Sequence, residues 1–209
     1  TYRRDLLASA INSSTTSNPL VLEQSVRASG TRGIHNFALP SWTPNGNDLI
    51  LVTIASRDIS DIPYNVMGNG IRFKQVLTKI DDQKSQRITI YRGMSPSPTT
   101  GSISFSWDET SSDRGWSAVA TRFSGTDTSG SNGSGAIDAT ASNSVGNSDT
   151  SSPKSEITTT SDNVLVYAGI TNRNRTITFT DNWIPVVQAL EGGNDGSNMG
   201  LDTAYKIVP

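Results

Sequence analysis

Residues 102–107 read Ser102-Ile103-Ser104-Phe105-Ser106-Trp107, a strict alternation of hydroxyl and large apolar side chains. In an extended chain successive side chains point to opposite faces, so this period of two predicts a strand with one buried and one wet face. Residues 49–54 (LILVTI) are almost continuously apolar, which predicts a strand covered on both faces. Outward from these two, runs rich in Val, Ile, Thr and aromatics lie near 20–28, 33–39, 71–79, 86–93, 115–124, 136–140, 155–160, 163–171, 175–179, 183–190 and 200–208. Clusters of Gly, Asn, Asp, Ser and Pro separate them. No long helical pattern intervenes, which disfavours parallel βαβ units. The expected fold is all-β: a two-sheet antiparallel β-sandwich formed by residues 20–209 as a single domain.

Residues 1–19 read differently. Leu6, Leu7, Ala10 and Ile11 share one face of a helix, and Asn12–Asn18 is a polar spacer ended by Pro19. The segment is expected to be an N-terminal arm or linker carrying a short helix. The chain opens on Thr1 rather than Met, which suits a removed leader or an upstream domain, and it shows no signal-peptide pattern.

Composition narrows the function. Of 209 residues, 30 are Ser and 24 are Thr, while 33% are hydrophobic and 17% charged. No apolar run approaches the roughly 20 residues that span a bilayer, so membrane insertion is not expected. A formal charge of −2 offers no general attraction for nucleic acid. Without Cys there is no disulfide, thiol chemistry or Cys-based metal site.

A faint internal repeat accompanies the strand pattern. Asn47-Asp-Leu-Ile-Leu-Val52 is echoed by Asp162-Asn-Val-Leu-Val-Tyr167, Ile71–Val76 by Ile184–Ala189, and Thr89–Arg92 by Thr203–Lys206. The offsets are 115, 113 and 114. One shared spacing points to two similar strand sets within one sandwich.

The order of these segments carries a resemblance. Asn47–Val52, the Tyr91-Arg92 strand, Ser102–Ser106 and Ala118-Val-Ala-Thr-Arg-Phe-Ser-Gly125 are followed by Ile137-Asp138, Glu156–Thr160, Asn163–Val166 and Ala204-Tyr205. This series, over about residues 25–208, resembles the jelly-roll β-sandwich modules of bacterial surface proteins and of phage tail or virion proteins. The resemblance implies a largely non-catalytic role and no shared ligand set.

Reactive sets are weak. A glycoside hydrolase needs two carboxylates about 5–10 Å apart, but the four Glu (Glu23, Glu109, Glu156, Glu191) are widely separated and Asp108-Glu109 point opposite ways on a strand. There is no Gly-x-Ser-x-Gly elbow. Gly130–Gly135 reads as a flexible polar linker, and His35, the only His, as a structural strand residue. No catalytic residue, metal ligand or cofactor is therefore assigned. Calcium is the nearest alternative, with Asp58/Asp61, Asp81/Asp82 and Asn194/Asp195 as oxygen-bearing clusters, although these residue types also form turns.

The most distinctive segment is Trp107–Trp116, two indoles flanking an acidic and hydroxyl-rich loop. Aromatic faces beside polar groups suit the C–H faces and hydroxyls of a sugar. Trp107, Asp108, Asp113, Arg114 and Trp116 are the ligand-binding candidates, with core packing as the competing reading, stronger for Trp107. Trp42 and Trp183, beside turns, raise the same question. Arg173 and Arg175 form a basic tip suited to an acidic glycan or a neighbouring subunit, or to plain solvation. The expected function is a non-enzymatic exterior module of a virion or secreted assembly, extracellular or on a virion surface. It would bind a host-surface carbohydrate or a neighbouring subunit, with homo-oligomerisation compatible. A purely structural capsid, tail or fibre decoration protein and a carboxylate-dependent glycoside hydrolase are the alternatives.

Overall fold

The computed structural model describes residues 4–13, 19–31, 37–57, 62–81, 85–107, 115–145, 154–162, 164–172, 177–192 and 198–208. Among them are fourteen strands and no helix. An outer sheet is ordered β11 (Ile137–Val145), β1 (Arg4–Ile11), β12 (Val164–Asn172), β14 (Met199–Val208), β13 (Ile184–Gly192). A central sheet is ordered β2 (Val21–Thr31), β10 (Gly115–Ser124), β4 (Leu49–Arg57), β8 (Gln86–Gly93), β7 (Lys74–Ile80). A small sheet is ordered β3 (Phe37–Ala38), β9 (Ser104–Ser106), β5 (Tyr64–Gly68), β6 (Ile71–Arg72). Every pairing is antiparallel.

The outer and central sheets pack face to face, so the fold is the expected all-β sandwich, with the small sheet as an added third layer. Alternation along β4 explains why the central sheet can hold both neighbours. Leu49, Leu51 and Ala55 join Leu7, Ile11, Leu165, Tyr167 and Leu201 between the outer and central sheets. Ile50, Val52 and Ile54 join Phe37, Val66, Phe73, Ile103 and Phe105 on the other side. All residues from Leu49 to Ser56 are buried, as the apolar run 49–54 predicts.

Alcohols are not confined to the outside. Thr53 Oγ1 and Tyr167 Oη lie 2.9 Å apart across the sheet interface, and the Ser117 hydroxyl donates to the Met199 carbonyl at 2.7 Å. These bonds tie β4 to β12 and β10 to β14, so the interior is crosslinked by hydroxyls whose burial is offset by mutual hydrogen bonding. Burial holds the Tyr167 phenol well above its ordinary pKa, and the Thr53, Thr121 and Thr203 hydroxyls oppose the shift. Tyr167→Phe removes one partner and leaves the Thr53 hydroxyl buried without it. The expected cost is about 1–3 kcal/mol, read by urea denaturation; an unchanged midpoint would show that Thr53 finds another partner.

Five sequence expectations are corrected. Residues 4–11 are not a helical arm but β1, an inner strand between β11 and β12. Leu6/Ala8/Ala10 and Leu7/Ser9/Ile11 alternate as well as they spiral, and covering both faces selects the strand. β5 (Tyr-Asn-Val-Met-Gly) adds a strand where the sequence pattern predicts none, because five residues between Pro63 and Asn69-Gly70 are too short to show an alternation. The 155–160 run forms no strand, and the 175–179 run forms none over its described part, 177–179. Gly130–Gly135 is a pinned turn rather than a linker. The Asn132 amide donates to the Arg72 carbonyl at 2.8 Å, and Asn132 Oδ1 accepts from Met94 N at 3.3 Å.

Candidate functional site

The structure brings Trp107 and Trp116 together, but inward. They are 3% and 6% exposed. Phe37 meets Trp107 edge-on at 4.7 Å and Trp116 at 5.1 Å, and Phe105 meets them at 5.3 and 5.5 Å. Rings packed this way in the core leave no open face for a sugar, so the two indoles serve as core between the central and small sheets. The phase of Ile103 and Phe105 already places Trp107 there; for Trp116 the third layer decides. Trp42 is also buried, its Nε1 donating to Asn69 Oδ1 at 3.0 Å. Asp108, Asp113, Arg114, Arg173, Arg175, His35, Asp58, Asp61, Asp82, Asn194 and Asp195 lie outside the described residues. Asp81 accepts from the Ser85 and Gln86 amides, a structural use of its carboxylate.

Trp183 has a different setting. The chain from Ile177 to Trp183 folds back over the outer sheet, on the face turned away from the sandwich interior. There Leu6 of β1 and Ala168 and Ile170 of β12 form an apolar floor with Ile177, against which Phe179 and Trp183 pack half-buried. The reversal is a two-residue turn. Asp181 and Asn182 take φ of 58° and 64°, and Trp183 N donates to the Thr180 carbonyl at 3.3 Å. Two consecutive left-handed residues make a type I′ turn, and Asp and Asn are the non-glycine types that tolerate it. The turn sets Phe179 beside Trp183, ring centroids 6.4 Å apart and planes inclined 37°.

A groove of about 760 Å³ runs along this face. Besides the apolar floor and the two rings, Arg4, Lys154, Ser155, Glu156, Thr178, Thr180 and Asp181 line it. Its charged groups balance, two cations against two carboxylates. Lys154, Glu156, Thr178, Thr180 and Asp181 are exposed at its edge. An apolar, aromatic floor with a few convergent polar groups is the general form of a small-ligand site. Of its residues only Trp183 is a candidate from sequence. A signal for Phe179 is present in Phe179-Thr-Asp-Asn-Trp183, an Asp-Asn turn flanked by aromatics. Arg4, Lys154 and Glu156 reach the groove only through the tertiary fold.

Behind the floor, alternation along β1 turns Asp5 into the sandwich, where it is fully buried. Burial and the nearby Asp81 push its carboxyl up to about 7, against the pull of Gln86, Lys79 and Thr171. Asp5 and Asp81 do not face the groove; Asp81 is itself 4% exposed. Elsewhere, Arg122 Nε lies 3.3 Å from Asp48 Oδ2, where burial of Asp48 raises its pKa despite the guanidinium. Among the described residues no three His, Cys, Asp or Glu side chains converge.

Fold and groove together define an all-β sandwich protein with an aromatic-walled groove on its outer sheet. In comparisons with known proteins, no family model, curated protein or solved structure matches the chain.

Proposed function

We propose that this protein is a non-enzymatic exterior module of a virion or secreted assembly, and that the outer-sheet groove binds a host-surface carbohydrate. The observation that carries the reading is the Phe179–Trp183 pair, half-buried over an apolar floor and edged by Ser155, Glu156, Thr178, Thr180 and Asp181. Sugar rings present apolar C–H faces to aromatic rings and hydroxyls to such an edge. The balanced charge favours a neutral or weakly charged glycan. The composition supports an exposed setting, because hydroxyl-rich strand faces stay wet without high net charge.

The test is a glycan array with the intact protein, followed by titration of each hit. Trp183→Ala is expected to weaken binding at least about tenfold, the scale of a lost aromatic contact with its buried area. It should leave the fold intact, since Trp183 is only half-buried. Binding that is indifferent to this substitution would show that the sugar sits elsewhere than in the groove. An array without hits would reject glycan recognition and favour attachment to a neighbouring subunit, the decoration role.

A further inference from the structure

The outer and central sheets are built on one plan. Read across space, β2-β10-β4-β8-β7 corresponds to β11-β1-β12-β14-β13. The registers agree in the middle of each sheet. Val52 opposes Tyr91 on one side and Ala120 on the other, while Tyr167 opposes Tyr205 and Ser9. Val52 and Tyr167 are 115 residues apart, Tyr91 and Tyr205 114, which are the spacings of the sequence repeat. The edge strands correspond only in place. Gln75 opposes Tyr91 whereas Ile184 opposes Tyr205, so the likeness of 71–76 to 184–189 is out of register.

One strand breaks the order. In the central sheet the chain visits β2, β4, β7, β8 and then β10. In the outer sheet it visits β11, β12, β13 and β14, and the counterpart of β10 is β1, which precedes them all. The strands β11–β14 thus leave a slot between β11 and β12, filled by a segment from far away in sequence. The Asp5 amide, for example, donates to Thr171 Oγ1, 166 residues distant. Backbone pairing runs along both sides of β1, from Arg4↔Val145 to Ile11↔Ile137 and from Leu6↔Ile170 to Ile11↔Leu165.

We infer that β1 is an exchangeable strand, and that the β11–β12 slot accepts it from a second copy of this chain as it does from its own. The chemistry of the slot is a strand's worth of backbone donors and acceptors plus seats for Leu7 and Ile11, and none of these depends on which chain supplies β1. Asn12 and Ser13 extend the pairing of β1, bonding Ala136 and Asp127 and bridging Thr126, and travel with it. From there to the buried Leu20 the tie is Ser14-Thr-Thr-Ser-Asn-Pro19, small or polar side chains without a large apolar one. Six residues span up to about 21 Å when extended, enough to pass to an adjoining molecule. Exchange of an identical element is a low-cost route to a dimer. It bears on the groove, because Arg4 and Leu6 of β1 line it; in the exchanged dimer each groove is built from two copies. Exchange does not depend on what the groove binds.

The absence of Cys makes a clean test available. Ala8 opposes Ala168 between β1 and β12. Chains carrying Ala8→Cys and chains carrying Ala168→Cys are mixed in denaturant, refolded together over a hundredfold range of concentration, and oxidised. Neither chain can close the disulfide alone. Mixed covalent dimers are expected, with a yield that rises with concentration and exceeds that of either homodimer. In parallel, the unaltered protein refolded at the same concentrations is sized by light scattering. A monomer at every concentration overturns the inference, and so does a dimer whose mixed-cysteine counterpart fails to crosslink while the double Ala8→Cys, Ala168→Cys chain oxidises within itself. If even that double chain fails to oxidise, sizing decides alone: a concentration-dependent dimer supports exchange, and its absence overturns it.

Discussion

Asp5→Asn is expected to make the protein more stable at pH 8, by up to on the order of 4 kcal/mol, and to flatten its stability between about pH 4 and pH 7. The folded carboxyl keeps its proton to about pH 7, whereas the ordinary value is 3.8. Between those limits the folded state binds more protons than the unfolded one, so stability falls as pH rises. The full penalty is reached above about pH 7, and each tenfold change in proton affinity corresponds to about 1.36 kcal/mol. The charges that face Asp5 come from β7 and the residue directly after it: Asp81 opposes ionisation, and Lys79 favours it less strongly than burial disfavours it. Asn keeps the shape, sits beside the same Gln86 and Thr171 neighbours, and carries no charge to desolvate. Urea melts followed by tryptophan fluorescence at pH 4.5, 6 and 8 read this directly. A wild-type protein as stable at pH 8 as at pH 4.5 would mean that the Asp5 carboxylate is compensated inside the sandwich.

The second large effect concerns the third layer. Phe105→Ala is expected to cost about 3–5 kcal/mol, the usual range for deleting a buried phenyl ring. Phe105 is 1% exposed and stands at the centre of the aromatic group, stacked on Phe37 at 5.7 Å and edge-on to both indoles. Its strand, β9, is also the middle of the small sheet, pairing with β3 and β5. A cavity there loosens the whole small sheet while leaving the outer and central sheets packed. The expected signature is a red shift of emission as Trp107 and Trp116 become wet, together with a lowered urea midpoint. Loss of less than about 1 kcal/mol would mean that Phe37, Trp107 and Trp116 close over the gap.

Particular residues show where sequence reading succeeds. Ser102–Trp107 and Leu49–Ile54 reveal which side chains share a face and which strand is covered twice, because a strand's facing is set by its own alternation. The boundaries of β8 and β10 coincide with the expected 86–93 and 115–124 runs for the same reason. The offsets near 114 report a genuine equivalence of β4 with β12 and β8 with β14, since pairing register is inherited with the pattern that sets it. The Trp107–Trp116 platform fails for a complementary reason. Two aromatics at strand ends look alike whether a solvent-filled cleft or another layer lies against them, and here the small sheet lies against them.

By itself, then, the order of residues determined an all-β chain, the doubly covered LILVTI strand and the presence of two related strand sets. Only the tertiary structure decided that Arg4–Ile11 completes the outer sheet, that Trp42, Trp107 and Trp116 are core, and that Trp183 with Phe179 walls a groove. Periodicity is local, a property of a few neighbouring side chains. What covers a face is set by partners more than a hundred residues away, such as Asp5 and Thr171, and no local pattern records them.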